Sequence, residues 1–226
     1  MKRHLWVILS TVIVLAVLFS CVKPEGPVSI TLDGDLEDWG SLLYEDSNND
    51  CVWGNDELYK AGITFDSTNL YIAGVYKKDA HSYNNFMCLA DISSSNGATD
   101  TSKHPWNRSY AFSTGNIGLV VESWQDGFTA WQVTSDEFIE ITNFATAVIL
   151  TSEDTITTAE IQIPLSALGI TDVTSLTVKA AFAITADCAD GKQWVGDFYP
   201  EQSYTIPSDG GITGPATITN FIKFPK

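Results

Sequence analysis

Apolar and polar residues alternate with a period of two along most of the chain after Pro27, and this alternation constrains the fold more than any other feature. A strand places successive side chains on opposite faces, whereas an amphipathic helix repeats every 3.6 residues. Residues 176–184 (LTVKAAFAI) show the pattern clearly, because apolar residues occupy every second position. Many short runs of this kind, separated by turns rich in Gly, Asn and Asp, predict an all-β chain folded as an antiparallel β-sandwich.

Two of the runs are apolar on both faces. Residues 70–77 (LYIAGVYK) predict a strand in the middle of a sheet, and residues 85–92 (NFMCLADI) form a second run of this kind. Residues 164–168 are the one helix-like stretch after Pro27 and predict about one helical turn. Residues 221–224 predict a last strand that closes the sheet.

Two Asp-Gly pairs predict tight hairpin turns. Asp126-Gly127 separates the alternating runs 117–124 and 128–133, while Asp190-Gly191 precedes the run 193–198. Asp-Gly between such runs is a strong hairpin signal, because the turn requires positive φ angles that these residues tolerate.

The N-terminal residues have the features of a secretory signal peptide. Lys2 and Arg3 precede residues 5–19, which carry no charge and are shorter than the ~20 residues that span a bilayer. Residues 18–21 (LFSC) resemble the lipobox of bacterial lipoproteins, which implies that Cys21 is acylated and becomes the first mature residue. We therefore expect an extracytoplasmic protein that is lipid-anchored to the bacterial cell membrane or outer membrane.

This interpretation divides the chain into three parts. They are a lipoprotein signal peptide (1–20), a lipid-anchored tether (21–27) and a single β-sandwich domain (28–226). The tether contains two prolines and a glycine. It reaches only on the order of 13 Å as a flexible chain, so the domain would lie close to the membrane surface.

Charge and cysteine content restrict the partners and the compartment. The chain carries 28 acidic and 12 basic side chains, a formal charge of −16, which repels phosphate backbones and excludes nucleic acid as a partner. In an oxidising compartment, Cys51, Cys88 and Cys188 would most simply form one disulfide and one buried thiol. The sequence leaves the pairing open.

Four segments in a fixed order carry a resemblance to a known family. They are residues 30–39 (ITLDGDLEDW), 46–57 (DSNNDCVWGNDE), 63–73 (ITFDSTNLYIA) and 159–168 (AEIQIPLSAL). The chain resembles β-sandwiches of the carbohydrate-binding module family 9 type, including the C-terminal domains of glucodextranase-type enzymes. This resemblance implies a jelly-roll-like sandwich that binds sugars, often with a structural calcium ion. The same superfamily includes haem-binding members, so the fold alone does not determine the function.

One loop has the residue spacing of a calcium site. Asp46, Asn48, Asp50 and Glu57 occupy positions 1, 3, 5 and 12, from which calcium-binding loops supply oxygen ligands. Position 6, normally glycine, is Cys51. The spacing predicts a structural Ca²⁺ here, and a solvated turn rich in Asp and Asn is the alternative.

A second acidic group precedes this loop. Asp33, Asp35 and Asp38 lie within six residues of one another. Short carboxylate side chains often accept hydrogen bonds from nearby backbone amides, so we expect this group to stabilise a turn rather than bind a metal.

Carbohydrate recognition needs flat aromatic faces beside amides or carboxylates. The longest irregular stretches are residues 37–57 and 93–107, and long ordered loops on a sandwich are uncommon unless they bind something. Trp39 follows an acidic turn and precedes two leucines, which predicts a core position. The candidate carbohydrate-binding residues are Trp106, Trp53, Trp124, Tyr83, Asn107 and Arg108.

These observations predict non-catalytic binding of a glycan or oligosaccharide. The sequence contains none of the motifs GxSxG, HExxH and GxxxxGK[ST], so we expect no enzymatic activity. One alternative is a haem-binding sandwich with Met87 as an axial ligand and His81 or His104 as the second. The other is a structural lipoprotein that contacts a partner protein of the envelope.

Overall fold

Fifteen β-strands form within residues 29–46, 49–79 and 83–225, which are the residues that this computed structural model describes. The strands are β1 (Leu43–Glu45), β2 (Glu57–Phe65), β3 (Asn69–Lys77), β4 (Asn85–Ile92), β5 (Tyr110–Phe112), β6 (Leu119–Trp124), β7 (Gly127–Val133), β8 (Phe138–Glu140), β9 (Thr146–Thr151), β10 (Ile156–Pro164), β11 (Val178–Thr185), β12 (Lys192–Tyr199), β13 (Gly211–Thr213), β14 (Ala216–Ile218) and β15 (Ile222–Phe224). Three short 3-10 turns accompany them, at Glu37–Leu42, Thr142–Phe144 and Leu165–Leu168.

Most of the strands belong to two antiparallel sheets that pack against each other. The first sheet has the order β1-β2-β3-β10-β9. The second has the order β13-β12-β11-β4-β6-β7-β8, and β15 also pairs with β11. A small parallel pair joins β5 and β14. This arrangement confirms the predicted antiparallel β-sandwich.

The main core lies between the two sheets, and a second apolar layer covers the outer face of the second sheet. Strand β4 contributes to both, because Phe86 and Cys88 belong to the main core while Met87 and Leu89 belong to the second layer. Residues of β5 and β14 pack on that outer face. The two runs predicted to be apolar on both faces are β3 and β4, and each is a central strand of its sheet.

Both predicted hairpins form, but the first one turns at Gln125 and Asp126, one residue earlier than predicted, and Gly127 is the first residue of β7. Strands β6 and β7 form a hairpin in which Trp124 pairs with Gly127. In the second turn, Asp190 and Gly191 have φ angles of 54° and 73°, which are the positive values that a tight hairpin requires.

The acidic turn near residue 35 is held by its own carboxylates, as predicted. Asp33 Oδ1 accepts a hydrogen bond from the Asp35 amide at 2.9 Å, and Asp35 Oδ1 accepts one from the Glu37 amide at 3.1 Å. Asp38 Oδ2 accepts a hydrogen bond from the Thr31 amide at 2.6 Å. These carboxylates therefore stabilise local backbone structure.

Two predictions about the fold were wrong. The sequence predicts one helical turn, but 3-10 turns also form at Glu37–Leu42 and Thr142–Phe144, where short polar connections tighten between strands. The predicted disulfide is absent, because Cys51, Cys88 and Cys188 are all free thiols. Cys88 is the buried thiol, in the middle of β4, while the other two cysteines are half-buried in separate loops.

The signal peptide, the acylation site Cys21 and the tether 21–27 lie outside the described residues, as do Asn48 and His81. They remain predictions. Within the described part of the chain, no helix is long and apolar enough to cross a bilayer.

Candidate functional site

Four carboxylates from distant parts of the sequence meet at one edge of the sandwich, and we call them the acidic group. Asp46 follows β1, Asp50 lies in the loop before β2, Asp197 is on β12, and Glu201 follows β12. One oxygen atom of each residue lies within 4.8 Å of the corresponding atoms of the others. Strands β1 and β12 belong to different sheets, so the acidic group connects the two layers.

Asp197 is the buried member of the acidic group. Its side chain points between the sheets, where the Leu58 amide donates a hydrogen bond to Oδ2 at 3.1 Å, and the residue is 2% exposed. Burial, followed by the negative charge of Asp46, raises the pKa of Asp197 to about 8. A buried carboxylate is costly unless it is protonated, paired or bound to a metal, so this position favours a proton or a cation.

Glu57 adds a fifth carboxyl beside the acidic group. It is 6% exposed, and its Oε1 atom is buried without a hydrogen-bond partner. The pKa of Glu57 is raised to about 6, chiefly by burial and also by the negative charges of Asp46 and Asp50. A hydrogen bond from the Cys51 amide acts in the opposite direction and lowers it. The carboxyl also shares a hydrogen bond with Asp197, so it faces the acidic group.

The acidic group fits a hard divalent cation. Calcium takes six to eight oxygen ligands, and four side chains here each supply one. The fold brings together three of the four predicted ligand residues: Asp46, Asp50 and Glu57. The sequence prediction missed Asp197 and Glu201, because they lie far along the chain and no loop spacing connects them to the first loop.

On the outer face of the second sheet, Trp106 and Trp124 lie side by side. Their ring centroids are 5.8 Å apart, and the ring planes are inclined by 55°. Trp106 also packs edge-on against Trp131 of β7, with centroids 4.9 Å apart. Trp124 lies against Gly127, where an added Cβ would come within 2.8 Å of the indole. Both Trp106 and Trp124 are half-buried, so part of each indole is accessible to solvent.

A buried ion pair holds the loop of Trp106 on the sheet. Arg108 Nε and Nη2 donate hydrogen bonds to the two Glu122 oxygens at 2.8 and 2.6 Å, and Nη1 donates to Asp187 at 2.6 Å. Burial lowers the pKa of Arg108, but the hydrogen bonds and charge of Glu122 outweigh this effect and raise the pKa overall. Arg108 was predicted to contact a sugar, and the structure shows three of its donors bound within the protein. It positions the exposed carboxylate of Asp187.

His104 lies under Trp106 and is neutral. The Trp106 amide donates a hydrogen bond to Nδ1 at 3.0 Å, so the imidazole proton is on Nε2, which lies 3.6 Å from Glu122 Oε1. Burial, with a contribution from the charge of Arg108, lowers the pKa of His104 to about 3. Met87 is fully buried in the same apolar layer, and haem ligation by Met87 stays a prediction.

Trp53 lies apart from the other two candidate tryptophans. It packs against the main core, whereas Trp106 packs against the second apolar layer, on the opposite face of the second sheet. Its Nε1 donates a hydrogen bond to the Asp209 carbonyl at 3.4 Å. Trp53 therefore cannot share one sugar-binding face with Trp106 and Trp124.

The remaining predicted residues lie on loops. Tyr83 is 92% exposed and precedes β4 by two residues, at the end of the sheet where β6 reaches Trp124. Asn107 is exposed with a φ of 50°, and its carbonyl accepts a hydrogen bond from the Cys188 amide at 2.7 Å. The Asn107 backbone thus fixes the loop that carries Trp106.

No protein-family profile matches this chain, and no curated protein matches its sequence. The fold and the sites define the class as an antiparallel β-sandwich with an acidic group at one edge and a half-buried tryptophan pair on one face.

Proposed function

We propose that this protein is a non-catalytic carbohydrate-binding lipoprotein of the bacterial cell envelope. The observation that carries the proposal is the Trp106–Trp124 pair, in which two half-buried indoles lie 5.8 Å apart on the outer face of a sheet. Indole faces shed water readily, and the C–H groups of a sugar ring can cover them.

A carboxylate bound to Arg108, two residues after Trp106, supplies hydrogen bonds to sugar hydroxyls. The carboxylate of Asp187 is exposed and is held at 2.6 Å by Arg108, so it is oriented before a ligand arrives. A pre-oriented group loses little conformational entropy on binding. Two stacking faces and one or two charge-assisted hydrogen bonds support a net binding free energy of about 4–8 kcal/mol, which corresponds to millimolar to micromolar affinity.

A lipid anchor at Cys21 is part of the proposal. The expected tether, residues 21–27, reaches only on the order of 13 Å as a flexible chain, so the sandwich would lie near the membrane surface. Many copies held on one surface raise the effective affinity for a polymeric glycan, and a weak individual site is then sufficient.

We further propose calcium as a structural cofactor at the acidic group. The buried and unpartnered Oε1 of Glu57 beside four convergent carboxylates supports this assignment. A cation there would stabilise the edge at which the two sheets meet.

A glycan array with the full-length protein in detergent tests the proposal. We expect saturable binding, and an affinity at least tenfold weaker in Trp106→Ala and Trp124→Ala. Trp194→Ala is the matched control, because this half-buried indole lies on β12 against Lys192, away from the pair. Absence of binding to every glycan, or equal losses in all three variants, would refute the tryptophan site.

A further inference from the structure

An open groove extends from the acidic group along the segment after β12. Its volume is about 440 Å³, which is in the range of small-ligand sites. Asp50, Asp197 and Glu201 line it together with Ser203 and Thr205, which are both exposed. None of the residues that line the groove is basic.

A second observation indicates that the acidic group holds a cation. Glu57 is more than nine-tenths buried, and its Oε1 atom has no hydrogen-bond partner. Its carboxyl shares a hydrogen bond with Asp197 and is repelled by Asp46 and Asp50. A buried carboxylate oxygen without a donor is unfavourable, and the positive charge of a divalent ion at the neighbouring acidic group would offset part of this cost.

We propose that the groove is a second carbohydrate site, in which a divalent cation at the acidic group also coordinates hydroxyls of the ligand. This inference rests on the proposed carbohydrate-binding function. Four side-chain oxygens leave two to four of the six to eight calcium positions open. Three of the four carboxylates line the groove, so a ligand there can supply some of the missing oxygens. Adjacent sugar hydroxyls are hard oxygen ligands of the kind that calcium prefers.

The charge of the site selects a neutral ligand. Four ionised carboxylates carry four formal negative charges, and a divalent cation offsets two of them. The remaining negative charge repels uronates, sulfates and phosphates, and the groove lining offers no basic side chain to pair with them. Neutral sugars are therefore the ligand class, with Ser203 and Thr205 as additional hydrogen-bonding partners.

Titration of neutral and uronate-containing oligosaccharides into the full-length protein, in calcium chloride and in EGTA, tests the inference. We expect neutral oligosaccharides to bind at the groove only in calcium. Thr205→Val removes a groove hydroxyl without touching a cation ligand, so the sugar affinity should fall about three- to tenfold while the calcium-induced rise in melting temperature stays unchanged. Glu201→Gln should weaken both sugar and calcium binding.

Calcium affinity provides a readout that does not depend on sugar detection. Binding coupling is reciprocal, so a neutral sugar that needs calcium must tighten calcium binding by the same factor. Melting curves and circular dichroism of each variant separate a lost site from a misfolded chain. Asp190→Asn, which removes one charge from an exposed turn that does not line the groove, serves as the matched control.

The outcomes distinguish the groove from the tryptophan pair. Binding that persists in EGTA and in Glu201→Gln, but is lost in Trp124→Ala, overturns the groove inference and supports the tryptophan site. Calcium-dependent binding that is lost in Glu201→Gln and weakened in Thr205→Val, but is kept in Trp124→Ala, supports the groove. The groove inference is overturned if the protein prefers uronates, or if neutral sugars do not increase its affinity for calcium. If no glycan binds in calcium or in EGTA, both proposals are overturned.

Discussion

Replacing Asp197 by Asn should change the stability of this protein in opposite directions with and without calcium. Without a cation, the acidic group places like charges within 4.8 Å of one another, and Asp197 is the most buried of them. The amide keeps the shape of the side chain and can still accept the hydrogen bond from Leu58. The variant therefore removes repulsion and burial of charge with little other change.

The raised pKa of Asp197 sets the size of the effect without calcium. The folded carboxyl has a pKa of about 8, against 3.8 in the unfolded chain. Between about pH 4 and pH 8, the folded state therefore binds a proton that the unfolded chain lacks. The stability of the calcium-free protein falls as the pH rises through this range. One pKa unit corresponds to about 1.4 kcal/mol, and neighbouring carboxylates relax part of the shift. We expect Asp197→Asn to stabilise the calcium-free protein by about 1–3 kcal/mol at pH 7.5, with a flatter pH dependence.

Calcium should reverse the difference in stability between Asp197→Asn and the unchanged protein. For a dissociation constant of about 0.1–1 mM, typical of extracellular modules, 10 mM calcium stabilises the folded state by about 1.4–2.7 kcal/mol. For a domain of this size, that corresponds to a rise in melting temperature of about 3–10 °C. Asp197→Asn removes a buried ligand, so most of this rise should be lost.

Thermal unfolding in EGTA and in 10 mM calcium chloride, at several pH values, measures both effects. Asp190→Asn is the matched control, because it removes one charge from an exposed turn, where Asn tolerates the φ of 54°. The control should change neither melting temperature appreciably. A lower melting temperature of Asp197→Asn in EGTA, or an undiminished calcium response, would refute the reasoning.

Two further predictions concern stability in chemical denaturant. Glu122→Gln leaves the guanidinium of Arg108 buried without its carboxylate, so we expect a loss of about 3–5 kcal/mol in the free energy of unfolding. Asp187→Asn changes the exposed partner of Arg108 and should cost less than about 1 kcal/mol. Equal losses in the two variants would contradict the interpretation that the buried pair with Glu122 is the stabilising one. Gly74→Ala should cost about 1–3 kcal/mol, because its Cβ would come within 2.6 Å of an aromatic ring in the core. Gly54→Ala meets no atom within 4 Å and should be nearly neutral, so similar losses in the two alanine variants would show that core crowding is not the cause.

Local sequence patterns predicted the features that depend on neighbouring residues. The two-sided apolar runs became β3 and β4, because a strand covered on both faces must be apolar on both. Asp190-Gly191 became a hairpin turn, and Asp33 holds a turn through the backbone. In the two turns the atoms that interact lie a few residues apart, so the backbone preferences of the sequence are sufficient.

One buried site left a sequence signal that the predictions did not use. Glu122 follows three apolar residues on β6, and a carboxylate on a buried strand requires a partner. The partner is Arg108, which was predicted as a sugar contact. A search for the cation that matches Glu122 would have found this ion pair, although not the contact of Nη1 with Asp187.

The sequence by itself determined most of the longer strands, the turn at Asp190-Gly191 and the first half of the acidic group, because alternation, the Asp-Gly pair and the spacing of Asp46 and Asp50 are local. Only the tertiary structure decided that Asp197 and Glu201 complete the group, since the two sheets meet where β12 lies next to the loop before β2. It also decided which tryptophans share a face, because the side of a sheet that a loop covers depends on chain packing. Residues far apart in sequence become neighbours only when burial of the apolar faces fixes how the layers stack.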